Sequence, residues 1–222
     1  MSMKTKKVCI IDYKLGNLFS VNQALTNLGI NVILSSAKED LYAADALVLP
    51  GVGAFGDAMQ NLKSLGLIDP IKDFVKSGKP FIGICLGMQL LFTESEEFGF
   101  SRGLDLVSGR VRKFDLVQLN GEKRKVPQIA WNQIKKPVGA NWNGTPLGDT
   151  KDGEYMYFVH SFYVDPAESV ELTSTDYVGH TYVSSILKGN IFACQFHPEK
   201  SGLEGLKIYR NWSKMHDLNN GI

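Results

Sequence analysis

Seven residues constrain this chain more than any others: Gly83-Ile84-Cys85-Leu86-Gly87-Met88-Gln89. An apolar run from Phe81 leads directly into a cysteine that has glycine two residues before it and two after, and a helical run starts at once. This is the layout of a nucleophile elbow, with Cys in the place more often held by Ser. A nucleophile on a tight, strained turn needs neighbours without side chains. A helix N-terminus behind the sulfur favours the thiolate and presents backbone N–H groups. The same residues also read as a buried structural cysteine between two packing glycines. On this segment alone both readings stay open.

An elbow needs a sheet to end on, and the first half of the chain supplies one. Lys7 to Ile11, Asn31 to Leu34, Ala46 to Leu49 and Phe81 to Ile84 read as short apolar strands. Between them Leu18, Val21, Leu25 and Leu28 recur at helical spacing, with Asn17 as cap and Gly29 as stop. Further helices are expected around Met59 and Leu62 and over Ile68 to Val75. Strands alternating with helices predict a parallel sheet covered on both faces. The second half is strand-like, over Arg110 to Phe114, Gln128 to Ile134, Tyr155 to Val164, Val170 to Thr175, Thr181 to Leu187 and Ile191 to Phe196. Without long crossovers these predict an antiparallel extension, closed by a helix over Leu203 to Met215. The expectation is therefore an α/β protein: a three-layer αβα sandwich whose central sheet is mostly parallel, with an antiparallel extension in the C-terminal half, in one domain over residues 1–222.

Composition narrows the function classes. Lys plus Arg is 24 and Asp plus Glu is 23, a net charge of +1, so no global field favours nucleic acid or an anionic membrane. The start carries Lys4, Lys6 and Lys7 before a very short apolar run, which is not the pattern of a signal peptide. The longest apolar stretch, Phe81 to Phe92, is far short of a membrane span. Cys9, Cys85 and Cys194 are an odd count with no close pair, which fits a reducing, cytoplasmic setting. No ligand spacing calls for a metal, and no cofactor is expected.

Two further motifs carry chemistry. In His197-Pro198-Glu199 the proline pushes the histidine into an extended conformation, from which Glu199 can reach the imidazole. A thiol nucleophile wants such a base, and a base wants a group that fixes its tautomer. The alternative is a surface turn with an incidental ion pair. Pro50-Gly51-Val52-Gly53 follows a strand and can aim a backbone N–H into a cleft, as an oxyanion hole requires, or be an ordinary strand-to-helix turn. It is not a phosphate loop. Arg110, Arg112 and Lys113 with Lys123, Arg124 and Lys125 suggest a basic hairpin around Asn120-Gly121, read as a solvated face or a dock for an acidic partner.

Together, in this order, the three motifs resemble the class I, or triad, glutamine amidotransferases. Within that family the chain is similar to the glutaminase subunits that serve histidine biosynthesis. The resemblance also rests on Ile11-Asp12-Tyr13, Gly16-Asn17-Leu18, Trp131-Asn132, Phe158-Val159-His160-Ser161 and Lys200-Ser201, and spans essentially the whole chain. It implies a flavodoxin-like amidotransferase fold with Cys85, His197 and Glu199 as the triad. It implies Val52 and Leu86 backbone N–H groups as the oxyanion hole, and Gly51, Gly53, Gln89, Ser161 and Phe162 around the substrate glutamine. The implied partner is a TIM-barrel cyclase subunit, forming a heterodimer through which ammonia passes. Departures from the family pattern are Lys14 for Gly, Gln128-Ile129-Ala130 before Trp131-Asn132, and Phe162 where Tyr is frequent. Lys14 and 127–132 fall in regions that the pattern turns toward the acceptor synthase. A paralogous subunit supplying ammonia for surface-sugar biosynthesis is therefore the second reading. A cysteine hydrolase or chaperone-like protein on a related sheet is the third, though neither needs Gln89 or His197-Pro198-Glu199.

Overall fold

A computed structural model describes residues 6–115 and 125–219. The chain runs β1 (Val8–Ile11), α1 (Leu18–Thr26), β2 (Val32–Ser35), α2 (Lys38–Ala43), β3 (Ala46–Gly51), α3 (Phe55–Ser64), α4 (Ile68–Lys76), β4 (Phe81–Cys85) and α5 (Leu86–Gln89). Then come β5 (Phe92–Ser95), β6 (Ser101–Arg102), β7 (Val107–Lys113), β8 (Gln128–Ile134), β9 (Glu154–His160), β10 (Phe162–Pro166), β11 (Glu171–Tyr177), β12 (His180–Lys188) and β13 (Ile191–Cys194). A 3-10 turn at Pro198–Lys200 precedes α6 (Gly202–Met215).

The continuous apolar runs β1, β3, β4 and β13 are buried at every residue. They sit side by side and, with β2, form a parallel block in the order β2-β1-β3-β4-β13. Successive side chains on a strand point to opposite faces, so each strand feeds two cores. Cys9, Ile11, Leu47, Leu49 and Phe81 pack with Leu41, Leu62, Ile71 and Phe74 of α2, α3 and α4. Val8, Ile10, Val48, Ile82 and Cys194 pack with Val21 and Leu25 of α1 and with Ile208, Tyr209 and Trp212 of α6. This is the three-layer arrangement expected from the sequence. Helix α4 shows the cause locally, since Ile71, Phe74 and Val75 fall on one face and are buried. Burying each such side chain stabilises the fold by about 1.5–3 kcal/mol.

The antiparallel extension is present as β13-β12-β10-β7, with β11 also on β12, while β5 pairs parallel to β7 and β6 closes the edge. Three details depart from expectation. Tyr155 to Val164 is not one strand but two, broken at Ser161: β9 pairs with β8 in a separate two-stranded sheet, and β10 returns to the main sheet. β7, which holds Arg110 to Lys113, is flanked by β10 and β5 rather than by β8, the next described strand. Arg110 and Arg112 instead pair across the sheet with Glu94 at 2.9 Å and Asp165 at 3.2 Å, a solvated face. Asn120, Gly121, Lys123 and Arg124 lie outside the described residues. The helix after Cys85 is a single turn, since Phe92 already belongs to a strand.

Candidate active site

Cys85 sits at the junction of β4 and α5 with φ 55° and ψ −112°, a left-handed φ that a non-glycine residue adopts only under constraint. The flanking glycines are required by packing. A Cβ on Gly87 would collide with the Leu49 carbonyl oxygen, and one on Gly83 would meet the Gly87 carbonyl at 3.0 Å and Ala193 at 3.2 Å. The turn is thus wedged against β3 and β13. Because α5 is one turn, its dipole is weak support for a thiolate, so the sulfur depends on its side-chain neighbours.

β13 runs beside β4 and, three residues past its end, delivers His197, which is 1% exposed. Its Nδ1 donates to Glu199 Oε1 at 2.8 Å, and the Glu199 side chain is itself fully buried. Tyr209 of α6 donates to Glu199 Oε2 at 3.3 Å, and Asn17 Nδ2 donates to Oε1 at 3.4 Å. Asn17 therefore does not cap α1 with its side chain, as its position suggested; it reaches across to the acid. With Nδ1 as donor, Nε2 carries the free lone pair of the neutral ring, and it has no hydrogen-bond partner among the described residues. Burial opposes charging His197, but interactions with Cys85 and with the Glu199 carboxylate outweigh it and push the imidazole up to about 10.

Across the β3–β4 ladder Gly51 lies opposite Cys85, so Val52 follows beside Leu86. A Cβ on Gly51 would strike Tyr13 Oη and come within 2.8 Å of Leu86 Cβ. The Tyr13 hydroxyl donates to Pro50 O at 2.8 Å, tying the opening segment to this turn. Lys14 has φ 70°, a left-handed conformation that glycine adopts without strain, and its N–H donates to Asp12 Oδ1 at 3.0 Å.

These parts enclose a cavity of about 410 Å³, within the range of small-ligand pockets. Val52, Gly53, Cys85, Leu86, Gln89, Ser161, Phe162 and His197 all line it, while Gly51 and Glu199 stand behind the wall. Two residues that sequence reading did not single out reach the site. Glu97 lines the cavity, accepts the Phe55 N–H at 2.7 Å, and is raised above its ordinary value by burial. Gln195 is fully buried and donates to Cys85 Sγ at 3.5 Å; its one signal was a polar residue in the apolar run ending at Phe196. His160, which lies within an apolar run and is expected there to be a satisfied core imidazole, is buried at the cavity wall. Its Nδ1 donates to Phe162 O at 2.7 Å, its Nε2 lies 3.1 Å from Tyr182 Oη, and burial pulls it down to about 4, so it is neutral. Gln89 Nε2 donates to the same Phe162 O at 3.0 Å. Among the described residues no group of His, Cys, Asp and Glu could hold a metal ion, and no helix is long and apolar enough to cross a membrane.

The glutamine amidotransferase class-I family profile matches residues 9–214. The imidazole glycerol phosphate synthase subunit HisH of Methanosarcina mazei is 47% identical over 95% of this chain and 99% of its own length. The protein of the same name from Syntrophotalea carbinolica is 44% identical over 94% of this chain and 100% of its own. Among solved structures, a glutamine amidotransferase superposes with a TM-score of 0.70 at 19% identity, covering 95% of this chain and 98% of that one, which speaks to the fold. The chain belongs to the class-I glutamine amidotransferase family.

Proposed function

We propose that this chain is the glutaminase subunit of an imidazole glycerol phosphate synthase, acting as one amidotransferase domain in the cytoplasm. The observation that carries the reading is the strained Cys85 beside a buried His197–Glu199 pair, in a chain so similar to HisH subunits. The Cys85 thiolate attacks the side-chain amide carbon of glutamine. The oxyanion takes hydrogen bonds from the Val52 and Leu86 backbone N–H groups. The His197 imidazolium gives its proton to the departing nitrogen, the C–N bond breaks, and ammonia leaves a glutamyl thioester. Neutral His197 then takes a proton from water, whose oxygen attacks the thioester. The C–S bond breaks, glutamate departs, and the ion pair is restored. Glu199 holds the ring throughout. Gln89 spends both described hydrogen bonds through Nε2, which leaves Oε1 to accept from the substrate's α-ammonium, with Glu97 supplying negative charge and the Ser161 and Phe162 backbone the remaining contacts. Gly51 and Gly53 shape the turn that admits the amide.

Ammonia passes to a TIM-barrel cyclase that forms imidazole glycerol phosphate and AICAR. Ile129, Trp131 and Tyr155 on the β8–β9 sheet are each more than half exposed and, with Val52 at the cavity mouth, offer an apolar docking face for that subunit. The test is glutamate release from glutamine by the chain alone and with the cyclase plus its nucleotide ligand. A large rise with the cyclase is expected. A chain that the cyclase leaves unchanged but a surface-sugar amidotransferase complex activates has the chemistry and the other partner. A Cys85→Ala variant that still turns over glutamine overturns the mechanism.

A further inference from the structure

We infer that Gln195 is a further catalytic residue of this site: its amide N–H holds and stabilises the Cys85 thiolate. The inference rests on the glutaminase reading for its role, but its geometry stands apart from it. The Phe162 carbonyl can only accept, so the Gln89 atom facing it at 3.0 Å is Nε2. That same Nε2 faces a Gln195 side-chain atom at 2.9 Å, which must then be the acceptor Oε1. The other end of the Gln195 amide, 3.5 Å from Cys85 Sγ, is therefore the NH2. A backbone carbonyl thus fixes two amides in series and points a donor at the sulfur.

The chain of bonds is buried along its length, with Gln89 5% and Gln195 0% exposed. In such surroundings an N–H directed at a thiolate weighs far more than in water, and an amide pinned at Oε1 pays no reorganisation on reaction. The donor also supplies what the local backbone cannot, since the helix behind Cys85 is a single turn. A thiolate accepts a hydrogen bond strongly and a thioester sulfur weakly. Gln195 therefore favours the two states in which sulfur carries charge: the resting ion pair, and the thiolate expelled when water opens the thioester. No proton is transferred to or from the amide in either step.

The test is the pH dependence of Cys85 alkylation by iodoacetamide, quantified by peptide mass spectrometry on the purified chain. Cys9 and Cys194 are fully buried, which leaves Cys85 as the reactive thiol. A hydrogen bond to a charged group corresponds to about one pK unit or more, so Gln195→Met should move the alkylation midpoint up by about one pH unit and slow glutamate release about ten-fold at neutral pH. Gln195→Glu, which puts an oxygen on the sulfur, should move it further. Gln195→Asn keeps a polar amide one methylene short and should shift it part of the way, so the question is answerable even where the methionine variant fails to fold. A purely packing role would lower the melting temperature and leave the midpoint in place. An unchanged midpoint in any folded variant of the three overturns the inference. Wild-type protein that alkylates with a depressed midpoint yet releases no glutamate would instead overturn the glutaminase reading and leave the Gln195–Cys85 contact standing.

Discussion

Cys85 and the His197–Glu199 pair stand out in the sequence because a candidate nucleophile and a base with its orienting acid are set among glycines or beside a proline that fix the backbone, whereas Gln89 enters only through the family resemblance. Glu199 is the most informative to perturb. Its carboxylate accepts from His197 Nδ1 and contributes to the raised imidazole. Glu199→Gln keeps shape but offers an NH2 where the ring needs an acceptor, so the ring is forced toward the wrong tautomer. Glutamate release should fall by about 10²–10⁴-fold, with the pH profile of the remaining activity displaced downward on its alkaline side. A variant with wild-type kcat would show that the ring is oriented by something else. Residues whose role depends on a distant partner stayed illegible. Asn17 looks like a helix cap in sequence and becomes a hydrogen-bond donor to Glu199 only when the 3-10 turn and α1 meet; Tyr13 looks like an ordinary core aromatic until Pro50 O lies beside it. Glu97 sits in a run of acids, Glu94, Glu96 and Glu97, with nothing local to mark which of them turns inward.

Elements were legible where one physical pattern dominated. β1, β3, β4 and β13 are unbroken apolar runs, and α4 and α6 carry a clear apolar stripe, so each was expected close to its observed bounds. The one-turn helix α5, the short β6 and the six-residue α2 carry too few buried residues to show a period. Ser161 hides its importance because alternation continues straight through it; only strand pairing reveals that the chain changes sheets there and so presents the Ser161–Phe162 backbone to the cavity. The closing helix bears on the site through Tyr209, which donates to Glu199, and through the close approach of Gly205. A Cβ on Gly205 would strike the Pro198 carbonyl and come within 2.6 Å of Ser201 Cβ, so α6 seats directly on the turn that carries Glu199. Gly205→Ala should cost about 1–3 kcal/mol of stability from overpacking. For a chain of this size that lowers the melting temperature by several degrees. It should also reduce kcat more than it raises KM, because the displaced group is Glu199 and not a cavity wall. A stable Gly205→Ala protein with unaltered kcat would mean that the turn is positioned independently of α6.

At the scale of the whole molecule, sheet order was beyond the sequence, since nothing local states that β13, near the C-terminus, inserts beside β4. That insertion brings His197 to Cys85 and, behind them, buries two histidines with opposite shifts. His197 is raised, so its contribution to stability is fully present below the ordinary histidine value and is lost as pH rises through about 10. His160 is lowered to about 4, first by burial and further by the nearby His197 charge, against the Phe162 carbonyl that favours protonation. Between its ordinary value near 6.5 and 4 the unfolded chain binds a proton at this residue that the folded chain does not. Stability must therefore fall as pH drops through that window, by up to about 3 kcal/mol from this group. His160→Gln keeps a donor for Phe162 O and has nothing to titrate. Relative to that variant, wild-type protein should lose about 6–12 °C more in melting temperature between pH 6.5 and pH 4. Parallel curves for the two proteins across the window would show that His160 is protonated in the fold, and would require the Tyr182–Gln128 pair beside it to be hydrogen-bonded to an imidazolium rather than to a neutral ring.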